Sequence, residues 1–366
     1  MEKRTLYLIA ALILIAAAII ELSSISPNRQ YTGVAVQPWN RTAVNQEKAS
    51  LYPLAKELAN PSGFINTGPF TIQSLVGKDV ILVDFWTYSC INCERTIPYL
   101  NLWYQEYHAD GLQIIGVHTP EFQFEHDIGN VQTAVTKFGI RYPVVLDNTY
   151  ATWDSYGNQY WPEDYLVDID GFIAYHHIGE GDYNETESEI QHLLTERAKA
   201  LNLSLSIPNT TSIPTSVIPV NFSAIGSSET YFGSARNQYL ANGEVGVPGV
   251  QTMSLPSSVL VSNLYLSGTW DFSDQYAENT GNASIVYPYN ARNVYFVASA
   301  DQPTDVRVLL DGKPITANAG SDVRNGTVTI QADQLYTLVE GDSYGTHVLE
   351  LDVSAPGLRA YTFTFG

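Results

Sequence analysis

Cys90 and Cys93 stand three residues apart, directly behind the run Val80-Ile-Leu-Val-Asp-Phe-Trp86. That run is apolar except at Asp84 and has the length of a strand covered on both faces. From Cys90 to His108 the pattern is helical. A buried strand that feeds a helix through a short turn implies an α/β sheet with the cysteines at the helix N-terminus. No other cysteine occurs in the 366 residues. A structural disulfide framework needs several, and a structural zinc site needs four ligands. Count and spacing together point to redox chemistry, with an inert disulfide or half a metal site as the alternatives.

The spacing lets the two sulfurs close a small disulfide ring. A helix N-terminus offers free N–H groups and a partial positive charge, and both stabilise a thiolate at Cys90. Cys90 is therefore the expected nucleophile. Cys93, one turn into the helix, is the expected resolving thiol of the mixed disulfide. No cofactor beyond this redox-active disulfide is implied.

Around the pair, the chain divides into five parts. Residues 1–24 hold Glu2, Lys3 and Arg4 followed by an apolar run from Leu6 to Ile20, the layout of a membrane anchor or a signal. The basic flank predicts a cytoplasmic N-terminus and an exported remainder. Residues 25–60 read as a stalk with one helical candidate, Ala49 to Leu58. Residues 61–201 alternate strand and helix: Gln113–His118, a helix Asn130–Phe138, a short strand Tyr142–Leu146, and a hairpin of Asp164–Asp168 with Phe172–His176 turning at Asp170-Gly171. A helix from Thr186 to Leu201 closes this part. Residues 202–220 are a Pro/Ser/Thr/Asn linker. Residues 221–366 lose helical periodicity and show about eight short runs between turns, which predicts an all-β sandwich of jelly-roll type. Those runs are Val259–Leu266, Ala283–Tyr287, Asn293–Ala298, Asp305–Leu310, Gly326–Gln331, Gln334–Val339, Thr346–Val353 and Ala360–Phe365.

The stretch Ile81-Leu-Val-Asp-Phe-Trp-Thr-Tyr-Ser-Cys-Ile-Asn-Cys93 resembles the active-site strand and turn of the thioredoxin fold. Asp84 lies where that family places a buried acid, Pro98 where its helix kinks, and Trp161-Pro162 where it carries a cis-proline facing the cysteines. The long interval from Cys93 to Pro162 resembles the TlpA/ResA-like branch, whose members are exported and membrane-tethered. Trp86–Cys93, Gly116–Phe122, Tyr156–Pro162, Glu229–Gly233 and Ala360–Gly366 are similar to the soluble part of DipZ-like proteins, a likeness covering roughly residues 60 to 366. DipZ-like proteins begin with a multi-pass, electron-carrying membrane domain, where this chain has one hydrophobic segment. The resemblance thus implies a membrane thiol reductase as a separate electron donor and exported disulfide-containing proteins as substrates.

It also implies site roles. Asp84, a carboxylate inside an apolar strand, is the expected proton acceptor for Cys93. Trp86, Trp161 and Pro162 are the expected substrate surface. Tyr88, Ser89, Asn92 and Glu121 are expected to tune the sulfurs. The carbohydrate-binding-like look of the β-region makes Trp270, Tyr276, Tyr287, Tyr289 and Tyr295 candidates for sugar stacking. No metal ligand set stands out, since His176 and His177 would point to opposite faces of a strand.

Charge narrows the classes further. Lys and Arg number 18 against 38 Asp and Glu, a net −20, which argues against nucleic acid or anionic lipid as a partner. A copper carrier is the second reading, weakened by only two methionines. A glycan- or partner-binding module with a secondary redox site is the third. Disulfide reduction or exchange outside the cytoplasm, from a single-pass anchor, is the leading expectation.

Overall fold

In a computed structural model, which describes residues 44–366 except 216 and 218, six strands form the first sheet. They are β1 (Gly63–Ile65), β2 (Val80–Trp86), β3 (Leu112–His118), β4 (Val144–Leu146), β5 (Glu163–Val167) and β6 (Ile173–Ile178). Their order is β1-β4-β3-β2-β5-β6. β2, β3 and β4 run parallel, and the other pairings are antiparallel. The helices are α1 (Val44–Leu51), α2 (Ile91–Tyr107), α3 (Ile128–Lys137), α4 (Ala151–Tyr156) and α5 (Tyr183–Ala200).

Every residue of β2 is buried, and alternation divides it between two cores. Val80, Leu82 and Trp86 meet α2, α3 and α5 through Leu100, Trp103, Val131 and Ile190. Ile81, Val83 and Phe85 meet α4 and the segment before β2 through Trp153, Ile72 and Leu75. Period two therefore places Asp84 on the face covered by α2, the helix that begins at the cysteines. The β5–β6 hairpin forms as the Asp-Gly pair predicts. Gly171 takes φ +92°, and Asp168 Oδ1 accepts from the N–H groups of Asp170 and Phe172 at 3.0 and 2.9 Å.

The β-rich region contains β7 (Thr230–Tyr231), β8 (Gly249–Met253), β9 (Tyr265–Phe272), β10 (Ala277–Asn279), β11 (Ala283–Ala300), β12 (Thr304–Leu310), β13 (Lys313–Pro314), β14 (Val323–Arg324), β15 (Thr327–Ile330), β16 (Gln334–Val353) and β17 (Leu358–Phe365). They join in one continuous hydrogen-bonded network. β11 makes this possible: its first part pairs with β9 and its second part with β17, while β16 follows it along nearly its whole length.

Several expectations need correction. The four runs Ala283–Tyr287, Asn293–Ala298, Gln334–Val339 and Thr346–Val353 are two long strands, because the turn-like residues between them are absorbed by register shifts in the β11–β16 ladder. The run at Val259–Leu266 forms a strand only from Tyr265 to Phe272. Four of the proposed sugar-stacking aromatics are core: Trp270, Tyr287 and Tyr289 have no exposed area and Tyr295 is buried, while Tyr276 is partly buried against Tyr361. The helix expected at Ala49–Leu58 lies at Val44–Leu51, ended ahead of Pro53.

The later part of the expected stalk is not free. Ile173 N–H donates to Pro53 O at 2.9 Å, Ala55 N–H donates to Gly171 O at 2.9 Å, and Ala55 and Leu58 pack on the sheet. The expected linker is likewise held. Gln191 Nε2 donates to Thr210 O, Ser212 N–H donates to Glu187, and Ile207 and Val217 pack on the α5 side. Among the described residues no helix is long and apolar enough to cross a membrane, and the expected anchor at residues 1–24 lies outside them.

Lys48 of α1 donates to Asp168, Asp170 and Glu196 at 2.8, 2.7 and 2.5 Å, and so fills a three-carboxylate cluster at the hairpin turn. Removing one partner of a mostly buried ion cluster typically costs about 3–5 kcal/mol. Lys48→Met should show a loss of that order in urea unfolding at neutral pH. The loss should shrink as pH falls through the carboxylate range, because the orphaned acids raise their folded-state pKa and protonate.

Candidate active site

Cys90 caps α2. Its backbone is extended (φ −87°, ψ 115°), and its Sγ accepts the Cys93 backbone N–H at 3.4 Å. The capping atom is thus the sulfur itself, so the unpaired amides of the first turn are aimed at the group that must carry negative charge. Cys90 is half-buried, whereas Cys93 is 1% exposed, and both are thiols in this structure. The Trp161–Pro162 peptide is cis, as the resemblance implies, and Cys90 Sγ–H donates to Trp161 O at 3.7 Å.

Burial pushes the Cys93 thiol well above its ordinary pKa, and the neighbouring Cys90 and Asp84 push it further. Asp84 lies below it in the sheet, 1% exposed, between Gly116 on β3 and Asp164 on β5 in the strand register. A Cβ at Gly116 would stand 2.8 Å from Trp86 Nε1 and 3.2 Å from the Tyr142 ring, so glycine lets both rings close over the strand. Asp164 is also buried. Desolvation raises both carboxyls above the usual carboxylate range, and the facing Asp164 charge raises Asp84 further. Asp84 and Asp164 face each other across β2 and β5, so the charge on either one opposes ionisation of the other.

A second buried acid supports the turn from behind. Glu125 accepts from Ser89 Oγ at 2.6 Å with one oxygen, and from the Glu121 and Phe122 N–H groups at 2.6 and 2.9 Å with the other. Its carboxyl is pushed up to about 7 by burial. Tyr88 stacks on His118, and its hydroxyl donates to Asp333 O of the β-rich domain at 3.1 Å. His118 is fully buried, and desolvation lowers it to about 3, which keeps it neutral.

The residues singled out from sequence therefore separate. Cys90, Asn92, Glu121 and Trp161 line one cleft of about 320 Å³, with Pro162 buried behind Trp161. Cys93 and Asp84 lie beneath it. Trp86 is not substrate surface: it is fully buried, because β2 is covered on both faces. Tyr88 and Ser89 anchor the turn to Asp333 and Glu125, while Asn92 Oδ1 accepts from Arg95 at 2.9 Å. Glu121, in the same cleft as Cys90, accepts from Arg236 at 2.7 Å and from the Tyr231 hydroxyl at 2.9 Å. Asp164, Glu125 and the β-rich wall had not been anticipated. Asp164 has a sequence signal, an acid two positions after Pro162 in the first strand of the hairpin. Glu125 had none.

A family model described as AhpC/TSA matches residues 55–176, and one described as a thioredoxin like C-terminal domain matches residues 227–366. Protein DipZ of Mycobacterium tuberculosis is 38% identical over 316 residues, which cover 85% of this chain and 43% of that protein. Thiol-disulfide oxidoreductase ResA of Bacillus thuringiensis is 31% identical over 122 residues, 33% of this chain and 67% of ResA. Thiol-disulfide oxidoreductase YkuV of Bacillus subtilis is 27% identical over 140 residues, 38% of this chain and 93% of YkuV. The chain spans less than half the length of DipZ.

The raised Asp84 carboxyl makes a stability prediction. A carboxyl whose folded pKa is raised binds its proton more tightly in the folded state, so its contribution is favourable at low pH and is lost as pH rises through the folded value. Asp84→Asn should match the native protein near pH 4 and exceed its stability at pH 8. The gain in urea unfolding should be at least about 1.4 kcal/mol, the value of one unit of displacement.

Proposed function

The chain belongs to the thioredoxin-like thiol–disulfide oxidoreductases, and from that premise we propose that it reduces or exchanges disulfides of exported proteins through Cys90 and Cys93. The carrying observation is the asymmetry of the two sulfurs: one caps a helix N-terminus in a cleft, the other is sealed beneath it.

The Cys90 thiolate attacks one sulfur of a substrate disulfide. A Cys90–substrate disulfide forms, and the second substrate sulfur leaves with the electron pair and takes a proton. Cys93 then gives its proton to the Asp84 carboxylate, whose proton affinity is raised by burial and by Asp164. The Cys93 sulfur attacks Cys90 Sγ, the Cys90–Cys93 disulfide closes, and the first substrate sulfur leaves and is protonated. Two electrons and two protons pass to the substrate. A dithiol donor must return two electrons before the next cycle. A membrane thiol reductase fits that need, because the basic flank and apolar run of residues 1–24 favour a tether with the rest of the chain outside the cytoplasm. The direction we favour is reduction or isomerisation.

Cys90→Ser should abolish exchange, and Cys93→Ser should accumulate mixed disulfides on non-reducing gels. At neutral pH an alkylating probe should modify Cys90 far faster than Cys93; equal rates would overturn the assignment. Asp84→Asn should slow the resolving step by about 100-fold while leaving the first attack near its native rate, read by rapid mixing.

A further inference from the structure

The wall of the cleft opposite Cys90 and Trp161 comes from the β-rich domain, through Phe222, Ile225, Glu229, Tyr231 and Arg236 among others. A cavity of about 320 Å³ accepts a small molecule or a short stretch of extended chain, not the surface of a globular domain. Its charges do not cancel. The Arg236 guanidinium is consumed by Glu121 at 2.7 Å and lies over the Tyr231 ring at 3.6 Å. Arg95 is consumed by Glu180, with Nε at 2.8 Å from a carboxylate oxygen. Glu229 makes no ion pair among the described residues, although the Tyr231 hydroxyl and the Arg236 charge lie near its carboxyl. Counting Glu121, Glu180 and Glu229 against Arg95 and Arg236 leaves one negative charge within reach of the reactive sulfur.

We propose that the cleft selects extended polypeptide segments whose cysteine is flanked by lysine or arginine, and that the β-rich domain supplies this selectivity through Glu229. The inference rests on the thiol–disulfide reading above and names its substrate class. Phe222, Ile225 and Trp161 offer apolar contact to the side chains on either side of the cysteine. Glu229, beside Tyr231 and Arg236 on the same wall, leaves the cleft one acid in excess of its guanidinium groups. The net −20 of the chain steers cationic segments toward the cleft and repels anionic ones.

The test uses the reduced full-length protein and two linear peptides, each joined through its cysteine to the same small neutral thiol. One places Arg and Lys beside the cysteine and the other places two Glu. Rates are read at pH 8, because partial desolvation and the Glu121 charge push the Glu229 carboxyl up to about 7. The cationic peptide should react about 10-fold faster at low salt, with the ratio falling toward one in 0.5 M salt. Glu229→Gln should shrink the ratio, and Glu229→Lys should invert it; an exposed position makes both variants compatible with folding. Equal rates for the two peptides, or a ratio unchanged in Glu229→Lys, would overturn the proposal. A folded domain presenting the same Arg-Cys-Lys disulfide on its surface should react slowly, and a rate matching the peptide would remove the restriction to extended segments. Cystamine, a small dicationic disulfide, reacting as fast as the cationic peptide would reassign the cleft to small amines. If the wild-type protein fails even on neutral bis(2-hydroxyethyl) disulfide, the redox reading itself falls, and that failure is separate from those above.

Discussion

Ile91 lies between the two cysteines in sequence, yet its side chain belongs to a core built largely by the other domain. It is 7% exposed in a cluster with Phe122, Tyr295, Val297, Leu335 and Tyr361. Phe122 and Phe124 meet the Tyr361 ring edge-on at 5.1 and 4.9 Å. Burying a side chain of this size is worth about 1.5–3 kcal/mol. The redox turn therefore cannot move without breaking the interdomain contact. Its position over the cleft, the direction of the first amides of α2 and the distance from Cys90 to Trp161 all depend on that anchor. The β-rich domain is in this sense part of the active site, and the Glu121–Arg236 and Tyr88–Asp333 contacts extend the same attachment around the cysteines.

The α/β part was legible because its signals are local. Val80–Trp86 reads as a covered strand without help from any other segment, and its observed bounds match the run. Asp170-Gly171 specifies its turn by backbone conformation alone. Cys90 and Cys93 take their meaning from a strand before and a helix after. The short strand Gly63–Ile65 and the helix Ala151–Tyr156 were not legible, because a few residues carry too little periodicity to separate strand, helix and loop.

Partnerships between distant segments were harder to read. Asp84 was visible as a lone acid, but the facing Asp164 depends on antiparallel register across some eighty residues. Glu121 was correctly placed near the cysteines at the carboxyl edge of the sheet. Its direction is set by Arg236 and Tyr231, more than a hundred residues later. In the β-rich domain the aromatic residues that suggested a binding face are the large side chains needed to fill a core between long strands. Composition cannot tell those two uses apart.

The Asp84–Asp164 pair answers a difficulty that the covering domain and the covered strand create together. Burial protects Cys93 from adventitious oxidants, but it also raises the thiol and opposes the thiolate needed for resolution. An ionised carboxylate beside the thiol is neutralised by the proton it takes, so the negative charge passes to sulfur with no net change. The facing Asp164 raises the proton affinity of Asp84, which brings the acid closer to the raised thiol. In the proposed resolving step, Asp84 takes the Cys93 proton and becomes neutral just as the negative charge appears on sulfur, so the net charge of the pocket stays constant. No ion has to be brought from water into the core, which is the most expensive part of moving a proton there. In the proposed mechanism, the cross-strand register that sets Asp164 opposite Asp84 is what brings the acid toward the thiol it deprotonates.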